Sequence, residues 1–126
     1  MLTIDKYNGT PIYEQIIDGI EREVLLGLIS EGDAIPSVRE LSVRVGINPN
    51  TIQRAYLELE RRGVTVALAG RGSFIREGAA DSIRERTRSK LREVYSLARE
   101  LKLAGVDKVQ LCEMIERAYG TEEEEI

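Results

Sequence analysis

Asn48, Asn50, Thr51, Gln53 and Arg54 fall within seven consecutive residues, and each carries a side-chain hydrogen-bond donor. Arginine donates two hydrogen bonds to guanine O6 and N7, and asparagine or glutamine pairs bidentately with adenine N6 and N7. Held on the first turns of one helix, this set has the chemistry to read base edges in a DNA major groove. Arg71, flanked by Gly70 and Gly72, is a cation on a turn-forming tripeptide. At a hairpin tip it would meet a phosphate or a neighbouring groove. Each feature alone has a plainer explanation, a solvated helix face for the first and a mere turn for the second. The elements around them decide.

Other chemistries are poorly supplied. The chain has no histidine and one cysteine, Cys112. That removes the commonest metal ligand, the usual general base, an internal disulfide and any multi-cysteine zinc site. No nucleophile–base pair and no phosphate-cradling glycine loop is present, so neither an enzyme, a metal nor a cofactor is expected.

The donors sit inside a two-helix pattern. Ser37-Val38-Arg39-Glu40 forms a capping box, with the Ser37 hydroxyl facing the Glu40 amide and the Glu40 carboxylate reaching back. Val38, Leu41 and Val45 then make an apolar stripe, and Gly46 supplies the left-handed stop. Asn48 caps a second helix with Pro49 at its first position, and Ile47 can staple onto Ile52. On that helix Ile52, Ala55, Tyr56 and Leu59 share a face, while Asn50, Arg54 and Arg61 lie opposite, Thr51 and Gln53 flanking. A short helix, a glycine turn and a second helix with outward donors at its start make a helix-turn-helix. Val64 to Leu68 and Ser73 to Ile75 read as two strands closed by Gly70-Arg71-Gly72, which adds a wing.

Three ordered segments, Ile35 to Leu41, Asn48 to Tyr56 and Gly70 to Ile75, together resemble the DNA-binding domain of GntR-type bacterial transcription regulators. Pro11-Ile12-Tyr13-Glu14-Gln15-Ile16 looks like the start of that domain's first helix. The similarity spans about residues 8–76, and the short helical remainder looks like the YtrA-type subfamily. The resemblance implies double-stranded DNA as partner. It implies that Arg39, in the Pro-Ser-x-Arg segment, contacts the backbone or a base, and that Asn48, Asn50, Thr51, Gln53 and Arg54 contact bases and phosphates. Arg71 and Gly72 match the wing tip, and Ser37 joins the same DNA-facing set. Where the family's wing often carries charge before the tip, this chain has Ala67-Leu68-Ala69. The subfamily likeness further implies repression of transporter-type operons.

The net charge of −4 suits a DNA binder only once it is divided along the chain. Residues 37–78 carry 7 basic and 4 acidic side chains, residues 1–36 carry 2 and 7, and residues 79–126 carry 9 and 11. The positive segment is the one with the motif, and the acidic remainder opposes non-specific adhesion.

Before the motif, Leu2 to Asp5 alternates like a short edge strand. Thr10 as N-cap and Pro11 at the first position open a helix with Ile12, Ile16, Ile20 and Val24 on its apolar face. Gly27 to Asp33 reads as a loop. After the wing, Glu77-Gly78-Ala79-Ala80 reads as a hinge, and Ser82 with Glu85 as a capping box opening a helix that runs to about Leu103. Asp107 caps a last helix that ends at Gly120. Arg84, Arg88 and Arg92 stand one turn apart, most simply as a solvated face, and Glu122 to Glu125 form an acidic tail.

These elements divide the chain into a winged helix-turn-helix at 1–78, a helical region at 79–120 and a tail at 121–126. The expected fold is mainly α with a small β-wing, followed by two C-terminal helices. Two helices of about 40 residues enclose no core by themselves. The seam Leu91, Val94, Ala98 and Leu101, with Leu111 and Ile115, is therefore expected to be covered by a second copy, giving a homodimer. Those helices leave no obvious pocket for a small-molecule effector. No stretch approaches the roughly 18 apolar residues of a membrane span, and no signal pattern opens the chain, so the expected location is the cytoplasm. The competing expectation is a winged-helix module that contacts a protein instead of DNA.

Overall fold

Isoleucines and leucines at helical spacing drive the first 86 residues together. The computed structural model describes residues 2–120, so the acidic tail at 121–126 lies outside the described residues. The chain divides into two units, residues 1–86 and 87–126. In the first, helix α1 (Ile12–Leu25) buries Ile16, Ile17, Ile20 and Val24. Helix α2 (Val38–Val45) contributes Leu41, and helix α3 (Pro49–Arg61) contributes Ile52, Ala55, Tyr56 and Leu59. Ile16, Ile52 and Leu59 are wholly inaccessible. Each such side chain contributes about 1.5–3 kcal/mol through burial.

Strands β1 (Thr65–Leu68) and β2 (Gly72–Ile75) pair antiparallel, Thr65 opposite Ile75 and Leu68 opposite Gly72. A two-stranded hairpin is marginal on its own, and here the second edge of β2 is also used. The Gly32 amide donates to the Ile75 carbonyl at 2.8 Å, the Ile35 amide to Ser73 at 3.0 Å, and Ala34 bridges Phe74. The stretch expected to be a plain loop thus ends in a short third rung of the wing.

Further differences from expectation have local causes. Leu2 to Asp5 is not a strand. Leu2 and Ile4 pack onto the core, and the Gln15 side-chain amide brackets Asp5, accepting from its amide and donating to its carbonyl, each at 2.8 Å. The N-cap of α1 is Pro11 rather than Thr10, with no side-chain cap; the Thr10 carbonyl accepts from Gln15 instead.

Another difference concerns the hinge. Residues 77–80 do not form one, because helix α4 (Ala79–Arg88) begins there and sends Ala79 and Ile83 into the core of the first unit. The boundary between units therefore falls at 86/87 and not at 78/79. Ser82 lies within α4, so no capping box forms with Glu85. The continuous helix expected to Leu103 is broken at Ser89-Lys90, where the Lys90 amide turns back to the Thr87 carbonyl. Arg84, Arg88 and Arg92, with Arg86 and Lys90, put like charges at i,i+4 spacing through this stretch, which opposes helix propagation.

The second unit holds α5 (Leu91–Leu103) and α6 (Lys108–Gly120), joined by a turn in which the Asp107 carboxylate accepts from the Val109 amide at 3.1 Å. Neither helix buries a single residue within one chain. Leu91, Val94, Leu97, Leu101, Met114 and Ile115 are all exposed, whereas Ala98 and Leu111 are half-buried.

Candidate nucleic-acid interface

The turn between α2 and α3 is set by local chemistry. The Ser37 hydroxyl accepts from the Glu40 amide at 3.0 Å and the Glu40 carboxylate accepts from the Ser37 amide at 3.3 Å, so the capping box is complete. Gly46 adopts φ +69°, a left-handed conformation that costs a side-chain-bearing residue about 1–2 kcal/mol. Asn48 Oδ1 then accepts from the Asn50 amide at 2.8 Å, starting α3. Across the motif the Tyr56 hydroxyl donates to the Pro36 carbonyl at 2.7 Å, tying α3 to the residue that leads into α2. Burial first, and the Glu40 carboxylate second, push the Tyr56 hydroxyl up to about 12 against the opposing pull of Arg44. It therefore remains a donor.

The residues expected to face DNA differ in how free they are. Ser37 and Asn48 spend an oxygen on helix caps, although the Asn48 amide nitrogen keeps its donors. Thr51 is half-buried. Arg39 on α2 and Asn50 and Gln53 on α3 are exposed. Arg71 is exposed at the tip of the wing, where its amide donates to the Leu68 carbonyl at 2.9 Å and closes the hairpin. Gly70 and Gly72, at φ +74° and +95°, allow that sharp reversal. Arg54 is exposed but not loose. Its guanidinium carbon lies 3.7 Å from the centre of the Tyr13 ring on α1.

Two further arginines, at the last position of α3 and at its C-cap, are engaged with carboxylates. Arg61 and Arg62 both donate to Glu58, whose carboxyl is held down to about 2 by the Arg61 hydrogen bond and then by that of Arg62. Arg62 also reaches Glu21 of α1 at 3.3 Å. Glu21 is buried at 7 % exposure and also accepts from Arg86 of α4. A buried carboxylate is tolerated only when paired, and this one joins α1, α3 and α4. The spacing of Glu58 to Arg61 and Arg62 is visible in the sequence. The Glu21 pairs and the Tyr13–Arg54 stack join residues 41 or more positions apart, and no local pattern announces them. Between α1, α2 and the segment before them is a cavity of about 230 Å³, lined by Leu2, Ile20, Ile29, Leu41, Val45 and Tyr56 among others. It is smaller than the roughly 300–1,000 Å³ of common small-molecule sites.

Among the described residues no helix is long and apolar enough to cross a membrane. The chain is 41 % identical over 116 residues to the HTH-type transcriptional repressor YtrA of Bacillus subtilis strain 168, covering 91 % of this chain and 89 % of that protein. The crystal structure of a transcriptional antiterminator from Listeria monocytogenes EGD-e superposes with a TM-score of 0.74 at 34 % identity, covering 99 % of this chain and 97 % of that one. The DNA-binding domain of AraR, crystallised in complex with operator ORX1, superposes with a TM-score of 0.54 at 25 % identity over 59 % of this chain and 95 % of its own. The model of bacterial regulatory proteins of the gntR family matches residues 12–75, from the start of α1 to the end of β2. That span takes in the whole helix-turn-helix and its wing, and the chain belongs to the GntR family of transcription regulators, not to the enzymes.

Proposed function

We propose that the chain is a cytoplasmic homodimeric repressor that binds an inverted-repeat operator, controlling a transporter-type operon. The observation that carries DNA reading is the exposed start of α3, where Asn50, Gln53 and Arg54 stand beside a completed cap and a glycine turn. In helix-turn-helix proteins this end of the second helix meets base edges. Arg39 and the wing-tip Arg71 with Gly72 supply contacts on either side of it, phosphate or minor-groove in character. The domain at the N-terminal end reads the half-site, and the C-terminal helices join two copies.

The dimer rests on α5 and α6. Leu91, Val94, Ala98 and Leu101, with Leu111 and Ile115, form an apolar seam that one chain does not bury. Covering it with the same seam of a second copy gives two-fold symmetry. Symmetry then requires an inverted repeat, with half-site centres near a multiple of 10–10.5 base pairs if both recognition helices face one side of the duplex. Repression follows the Bacillus subtilis relative, which is named a repressor.

Selection of bound sequences from a random duplex pool tests the proposal. Enrichment of an inverted repeat, bound with a steep salt dependence, is the expected result. Enrichment of nothing, or of single unpaired half-sites, would overturn it, and the first outcome would favour a protein partner for the same face.

A further inference from the structure

Resting on the reading of the α3 face as a base reader, we propose that Tyr13 of α1 is a positioning residue for operator specificity, holding Arg54 in a reading conformation. Tyr13 is half-buried and packs against the core through α1, and its hydroxyl donates to the Glu14 carboxylate at 3.2 Å. Its ring is therefore a fixed platform. The Arg54 guanidinium carbon sits 3.7 Å from the ring centre, well within the roughly 6 Å over which a ring attracts a cation.

The planar guanidinium can stack by its face while keeping its N–H donors in its own plane. Those donors are the ones a guanine edge requires. A free arginine loses rotamer freedom when it binds; one already laid on an aromatic ring has lost part of it beforehand. The stack therefore favours bidentate pairing with one base over loose contact with many phosphates. Tyr13 touches no base in this scheme. Its contribution passes through Arg54 alone, and that makes the scheme separable from a purely structural role.

The test uses the full chain, the selected operator, the same operator altered at the base whose preference Arg54→Ala abolishes, and a random duplex. Tyr13→Leu should weaken operator binding about two- to five-fold, part of the entropic cost of ordering one long side chain on binding. It should narrow the preference at that base and leave random-duplex affinity and the salt slope unchanged. Tyr13→Phe keeps the ring and its packing and loses only the bond to Glu14, so it should restore most of both. In the Arg54→Ala background Tyr13→Leu should have no further effect on operator binding. Equal losses on operator and random DNA, additive losses in the double variant, or tighter binding by Tyr13→Leu would each overturn the inference. If Tyr13→Leu does not fold, Arg54→Lys serves, since lysine lacks the planar fork; an undiminished base preference there overturns it equally. If the unaltered protein shows no sequence preference at all, the DNA reading fails, and this inference with it. A selective wild type with an indifferent Tyr13→Leu sinks this inference alone.

Discussion

At the scale of single residues, the two arginines expected to meet DNA from the helix and from the wing are held in different ways. Arg54 lies on an aromatic ring, whereas Arg71 projects from the tip of a hairpin. Arg71→Ala should weaken binding to all sequences similarly and reduce the salt slope by about one unit per protomer. Titrations at several salt concentrations on operator and random DNA check this. A loss confined to the operator would mean that Arg71 reads bases. Tyr56 invites a different measurement. Its hydroxyl is raised from 10.0 to about 12 by burial and the nearby Glu40. The unfolded chain thus sheds this proton first, so the stability it contributes is intact below pH 10 and is lost as the pH climbs toward 12. Tyr56→Phe should cost about 1 kcal/mol at neutral pH, from the lost bond to the Pro36 carbonyl. Denaturant titrations of both proteins should show the difference shrinking between pH 10 and 12; a constant difference would mean that the hydroxyl titrates alike in both states.

At the scale of elements, what could be foreseen was what lies close in sequence. The Ser37–Glu40 box, the Gly46 stop and the Asn48 cap each involve neighbours within three or four positions, and all three form as expected. The wing hairpin did too, since its turn glycines flank it directly. The third rung at Gly32 to Ile35 was missed because its pairing partner lies some forty residues away and its own residues do not alternate. The start of α4 is hidden in the sequence for a related reason. Glu77-Gly78-Ala79-Ala80 has the composition of a linker, and only the surface opposite makes Ala79 and Ile83 core residues. Ile83→Ala should accordingly cost about 2–5 kcal/mol, the range for emptying a buried isoleucine site. A fragment ending at residue 78 should melt well below one ending at residue 88. Calorimetry of the two fragments decides; equal melting temperatures would mean that α4 is dispensable to the first unit. Among the site residues, the exposure of Arg39, Asn50 and Gln53 was legible from helical period, but what a long side chain rests on was not, as Arg54 shows.

At the scale of the whole molecule, half of the function proposed here depends on surface that one chain leaves uncovered. Leu101 is the least exposed large side chain of the α5 seam, at 36 %. Leu101→Asp should yield a folded monomer by sedimentation. Its affinity for a complete operator should fall by about 10²- to 10⁴-fold, the loss of an intramolecular second contact, while a half-site is bound as before. A dimer that survives this change would move the interface elsewhere. The carboxylate clamp on α3 has a kinetic consequence of its own. Residues 37–78 carry 7 basic side chains, yet Arg61 and Arg62 are both paired with Glu58, and Arg62 also with the Glu21 that Arg86 shares. Fewer counterions are then released on random DNA, where cation number alone sets the affinity. Almost every site a regulator meets on a chromosome is the wrong one, so the time lost at each governs how fast the right one is found. On the proposed reading, two cations already engaged within the protein should shorten its dwell on random duplex, and Glu58→Gln should lengthen it.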